Sequence, residues 1–190
     1  MLSVLMVSDI FGRCDGLQCL CADLAAADIQ IRVIDPYQAQ FQRFTSEDQA
    51  YQHFIRQCGH DAYLQTVSAA LEQPVDVAIG FSAGATALWR AAALNSGAIG
   101  QMLLFYPGQL HQHLAAIPAI NASLIFGATE HHFDVDDLLR QLRPYRQLNG
   151  IKTAWQHGFM NLASAAFNAT GYQQHLQLLQ QMLMVSSDEL

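Results

Sequence analysis

The stretch VDVAIGFSAGATALWRAAA, residues 75–93, changes its hydrophobic period at a single serine, Ser82. Residues 75–80 are short, apolar and β-branched, the pattern of a buried strand, whereas residues 83–94 are rich in alanine and leucine, the pattern of a helix. Ser82 stands at the junction in GFSAG, between Gly80 and Gly84. A strand that turns directly into a helix at a serine holds that side chain in a strained position above the sheet edge, and only very small neighbours tolerate the close packing. The N–H of the next residue, Ala83, is expected to point to the same spot, where helix-end polarity favours a negatively charged oxygen. Composition alone predicts roughly 0.04 such GxSxG matches in the chain, so the motif is specific. The competing reading is a serine that merely caps a helix.

Outward from this junction, strand-like runs lie at residues 3–7, 30–34, 102–106, 122–126 and 152–156, and helical patterns at 17–27, about 48–72, 136–148 and 172–184. Such alternation predicts an α/β architecture, a doubly wound sheet of about six parallel strands with helices on both faces. Residues 1–190 are expected to form one domain, because the longest irregular stretch, DPYQAQFQRFTSED at 35–48, is too short for a second core. That stretch is a candidate active-site wall. The connection PGQLHQHLAAIPAI, residues 107–120, leaves no room for a large cap over the sheet. Sites in such sheets lie beyond the carboxyl ends of the strands, where the sequence places Asp9, Asp35, Ser82, Tyr106, Glu130 and His157.

Composition narrows the partners. A formal net charge of -7 with only 13% charged residues argues against nucleic acid and anionic membrane surfaces and favours small molecules. The four cysteines, Cys14, Cys19, Cys21 and Cys58, lack CxxC spacing and fit reduced thiols. No basic leader and no run near the roughly 18 apolar residues of a membrane span are evident, so a cytoplasmic protein is expected. No motif specifies an oligomeric state.

A serine hydroxyl is a weak nucleophile at neutral pH and needs a base, which in turn needs an orienting acid. In WQHGFMN, His157 directly follows the last strand-like run and Gly158 permits a tight loop back toward Ser82. In SLIFGATEHHFDVDD, Glu130 lies three residues beyond Gly127 and is the favoured acid. Asp134 is the alternative, as an acid or as a helix cap, and Asp136 and Asp137 read as first-turn charges of a helix. The histidine pairs at His111 and His113 and at His131 and His132 lack a second ligand at zinc spacing, so no metal site is expected.

With these positions assembled, the sequence resembles the dienelactone hydrolase family of α/β hydrolases along nearly its whole length: SDIFG after the first strand, DPY after the second, GFSAG at the turn, FYPG after the fourth, GATEHHF in the acid loop and HGFMN in the base loop. The resemblance implies a hydrolase of esters or lactones working through an acyl-enzyme without metal or organic cofactor, with Ser82 as nucleophile, Glu130 as acid and His157 as base. It also implies that the N–H of Ile10 joins that of Ala83 in an oxyanion hole, and that Asp9 matches a glutamate near the nucleophile of lactone-cleaving members. Asp9, Phe11, Phe81 and Tyr106 are expected around the pocket. Two departures stand out: serine replaces the cysteine of lactone-cleaving members, and glutamate replaces the usual aspartate. Serine suits small carboxylic esters or thioesters. Arg13, Arg43 and Arg56 are candidates for holding a substrate carboxylate. A hydrolase-like scaffold that binds without chemistry is the alternative.

Overall fold

The computed structural model describes residues 1–188. Six strands form one sheet: β1 (Leu2–Val7), β2 (Ile29–Ile34), β3 (Val75–Phe81), β4 (Ile99–Phe105), β5 (Asn121–Phe126) and β6 (Leu148–Lys152), in the order β2-β1-β3-β4-β5-β6 and all parallel. The central strands alternate between two buried faces. Val77, Ile79 and Phe81 of β3 pack toward α1 (Asp15–Asp23) and α6 (Ala169–Asp188), while Val75 and Ala78 pack toward α2 (Glu47–Gln57), α3 (Gly59–Ala70), α4 (Ala83–Leu94) and α5 (Val135–Leu142). No helix among the described residues is long and apolar enough to cross a membrane.

The chain leaves β1 toward β2 and then crosses back to place β3 on the other side of β1. The loops that follow β1 and β3 therefore diverge, opening a crevice at the carboxyl edge of the sheet. Between β4 and β5, residues 106–120 hold one short turn of 3-10 helix at Leu110–Gln112 and no cap.

Three expected elements differ. The helix expected over about 48–72 is two helices, because Cys58 leaves helical geometry (φ -137°, ψ -62°) between α2 and α3. The helix expected to run to 148 stops at Leu142, two residues before Pro144, which has no N–H to continue the ladder. The last strand occupies 148–152 rather than 152–156. It is a largely exposed edge strand, and the polar LNGIK gives no apolar alternation to read. Phe126 accepts from Thr153 N at 3.0 Å, so the backbone runs on beside β5 toward His157.

At the β3–α4 junction, α4 lies against β1 so closely that a Cβ on Gly84 would overlap the carbonyl oxygen of Ser8 and come within 2.8 Å of that of Val7. Both obstacles are backbone and cannot swing away. Gly84→Ala is therefore expected to destabilise the protein by more than about 2 kcal/mol in urea unfolding. A variant as stable as the parent would show that the helix is free to move off the sheet.

Candidate active site

Ser82 carries φ 49° and ψ -115°, outside the helical and extended regions, and is pinned on both sides. Its N–H donates to Phe105 O at 2.9 Å, and its carbonyl accepts from Thr86 N at 3.0 Å. The hydroxyl is thereby lifted above the ends of β3 and β4. Ala83 opens α4, so its N–H has no intrahelical acceptor.

His157 Nε2 lies 2.8 Å from Ser82 Oγ, and His157 Nδ1 lies 2.6 Å from Glu130 Oε2. Because the carboxylate only accepts, Nδ1 carries the proton and Nε2 is left to accept from the serine hydroxyl. The other Glu130 oxygen accepts from Gly127 N at 3.2 Å, folding the acid back onto the end of β5. The Glu130 side chain is 1% exposed and that of His157 27%, so the inner end of this chain is dry and the outer end reachable. Gly158, with φ +90°, turns the loop after His157. Asp134 is elsewhere: its Oδ1 accepts from Asp137 N at 2.9 Å and caps α5.

The loop after β1 faces the same point. Asp9 O accepts from Gly12 N and from Ser8 Oγ, each at 3.1 Å. These bonds fix the peptide between Asp9 and Ile10, and both Ile10 and Ala83 line the cleft. Tyr37 OH donates to Ile10 O at 2.5 Å and locks the following peptide. Tyr37 itself is held by Asp35, whose Oδ1 accepts from Tyr37 N at 2.8 Å.

Asp9 is buried. Its Oδ1 accepts from Phe11 N at 2.9 Å and its Oδ2 from Asn161 Nδ2 at 2.7 Å. Asn161 belongs to the loop that carries His157, so Asp9 ties the loop after β1 to the loop after β6. Burial raises its pKa to about 6, against the lowering effect of Asn161, Phe11 N–H and His157.

The cleft over Ser82 has a volume of about 570 Å³. Asp9, Phe11 and Tyr106 line it, and Tyr106 packs on the His157 ring with centroids 4.8 Å apart. Phe81 does not line it. Its side chain follows the pleat to the opposite side, stacks on Phe105 at 5.1 Å and borders a separate small pocket of about 20 Å³ instead. None of the three candidate arginines reaches the cleft: Arg13 pairs with Asp35 at 3.0 Å, Arg43 lies over Phe41, and Arg56 is exposed on α2. The sequence reading missed Asn161, Glu47 and Ser164. Asn161 stands inside HGFMN, but its partner Asp9 is 152 residues away and leaves no local signal.

No family model and no curated protein matches the sequence. Solved structures do match. A dienelactone hydrolase-like promiscuous phosphotriesterase from metagenomic libraries superposes with a TM-score of 0.73 at 17% identity, over 97% of this chain and 86% of that one. The dienelactone hydrolase from Anabaena variabilis gives 0.66 at 15% identity over 97% and 86%, and a thioesterase domain from the curacin biosynthetic pathway gives 0.62 at 12% over 94% and 90%. The chain has the α/β-hydrolase fold. On that fold it carries a hydrogen-bonded row of Ser82, His157 and Glu130.

A carboxyl whose pKa is raised in the folded state holds its proton more tightly there than in the unfolded chain. Stability should therefore fall as pH rises from about 4 to about 6, as Asp9 is forced to ionise, by up to about 3 kcal/mol. Chemical denaturation across that window should show a steeper decline for the parent than for Asp9→Asn. Equal slopes would remove Asp9 as the cause.

Proposed function

We propose that the protein is a serine hydrolase that cleaves small carboxylic esters, lactones or thioesters through an acyl-enzyme. The observation that carries this reading is the unbroken row Ser82 Oγ, His157 Nε2, His157 Nδ1 and Glu130 Oε2, with separations of 2.8 and 2.6 Å, at a strained strand-to-helix turn. Neighbours in fold that include a dienelactone hydrolase and a thioesterase domain are consistent with it.

In this reading His157 takes the Ser82 proton as Oγ attacks the substrate carbonyl. The tetrahedral oxyanion is met by the N–H groups of Ile10 and Ala83. The imidazolium then gives its proton to the leaving alcohol or thiol, and the acyl group remains on Ser82. Water enters through the uncapped cleft, attacks the acyl carbonyl as it loses a proton to His157, and the imidazolium returns that proton to Ser82 Oγ as the bond to the acyl group breaks and the acid is released. Glu130 holds the ring and offsets its positive charge. Asp9, also close to the ring, adds to that stabilisation when ionised. A cytoplasmic setting fits the free thiols of the cysteines.

Short p-nitrophenyl acyl esters should be hydrolysed, and a fluorophosphonate probe should label Ser82. Ser82→Ala should abolish both, and unchanged turnover in that variant would refute the proposal. Glu130→Gln should lower kcat by at least about 100-fold, because an amide misdirects the imidazole tautomer. Asp134→Asn should stay within about twofold of the parent, since asparagine also caps a helix.

A further inference from the structure

The charges around the cleft are one-sided. Asp9, Glu47, Asp48 and Glu130 line it together with His60, His131, His132 and His157; Glu130 is engaged by His157, and none of the nine lysine and arginine residues lines it. Arg90 acts electrostatically on His60 but is paired with Asp61 at 2.9 Å. Burial and Arg90 both hold the His60 pKa below its ordinary value, so His60 adds no compensating charge at neutral pH.

Glu47 is not a loose surface carboxylate. Its Oε1 accepts from the buried Ser164 hydroxyl at 2.6 Å, which fixes it beside Gly158, where a Cβ would lie 3.8 Å from that oxygen. It thus sits one residue from His157 and close enough to Asp9 to raise its pKa. Asp48, exposed, follows on α2, and Tyr51, one turn further along, lines the same opening. A carboxylate with a neighbouring aromatic ring suits a cation, and a low-dielectric wall lined by one sign of charge concentrates the opposite sign.

We infer that this cleft ranks its substrates by charge: cationic and uncharged acyl groups are accepted, and acyl groups bearing their own carboxylate are turned away. The inference rests on the proposed hydrolase reading and assigns Glu47 and Asp48 as the residues that set the ranking. The arginines that were candidates for holding a substrate carboxylate are directed elsewhere, Arg13 to Asp35 and Arg43 over Phe41.

Three p-nitrophenyl esters built on four-carbon acyl chains test it: the γ-trimethylammoniobutyrate, the butyrate and the hemisuccinate. Each kcat/KM is divided by the hydroxide rate constant of the same ester, which removes intrinsic reactivity. The corrected values should fall in that order at neutral pH and low salt, with the hemisuccinate at least about tenfold below the butyrate. Raising salt from about 20 mM to about 500 mM should shrink the gap, because the screening length falls several-fold. Glu47→Gln and Asp48→Asn should each narrow the butyrate-to-hemisuccinate ratio by about twofold or more. Among the described residues Asp48 makes no side-chain bond, so its variant keeps the test independent of folding. A hemisuccinate hydrolysed as fast as the butyrate, or a ratio that neither salt nor either substitution moves, overturns the charge ranking while leaving the hydrolase intact. Absence of turnover on all three esters together with an unlabelled Ser82 overturns the hydrolase reading, and the ranking with it.

Discussion

The forced approach of α4 to the carboxyl end of β1 governs the rest of the molecule. Gly84 sits where any side chain would meet the backbone of Val7 and Ser8, and Gly80 likewise lies against the backbone of Ala85, 2.7 Å from where its Cβ would be. Bringing helix and strand this close leaves no residues for a loop, so Ser82 must make the whole turn by itself. Its φ of 49° costs about 1–3 kcal/mol. The compensation is spread along α4, where Ala85, Ala87, Leu88, Trp89, Ala91 and Ala92 are buried. Their mostly small side chains let the helix pack closely, and their burial exceeds the local strain.

That turn fixes one group only; the others come from loops, which by themselves wander. The structure ties them to one another. Asp9 bonds Asn161, so the loop after β1 and the loop after β6 move together. Tyr37 bonds the carbonyl of Ile10, which links the β2 loop to the first. Glu130 is fastened to the end of β5 by Gly127 and to the ring by His157. The cost of this arrangement is concentrated at Asp9, a buried carboxylate that resists ionisation despite two donors. A group so placed stabilises positive charge on a nearby imidazole, which is the form His157 takes midway through the proposed reaction.

What could be read in the sequence follows the range of the interactions involved. The strands β1 to β5 and the turn at Ser82 are local patterns, since apolar runs and a period change are written in adjacent residues. Because parallel strands deliver their next residues to one edge, the order of strand ends already assembles Asp9, Ser82, Tyr106 and His157. The β6 strand was misplaced because an exposed edge strand has no buried face to imprint alternation on LNGIK. Phe81 is expected around the pocket, but as the last residue of β3 it takes the face that Val77 and Ile79 share, away from the cleft. The Glu47–Ser164 bond joins residues 117 apart and leaves no trace in either neighbourhood.

The glutamate at position 130 has a geometric explanation. The acid sits three residues beyond Gly127, on a loop that has already left the sheet, yet one of its oxygens bonds Gly127 N and the other His157 Nδ1. Both anchors lie back toward the strand end. An aspartate on the same backbone would be shorter by one carbon–carbon bond, about 1.5 Å, and could keep only one of the two partners without moving the loop. A carboxylate held by a single oxygen can rotate, and the imidazole it orients would rotate with it. The extra methylene therefore matches this loop's setback, and the departure from aspartate is one of reach, with the pairing to imidazole unchanged.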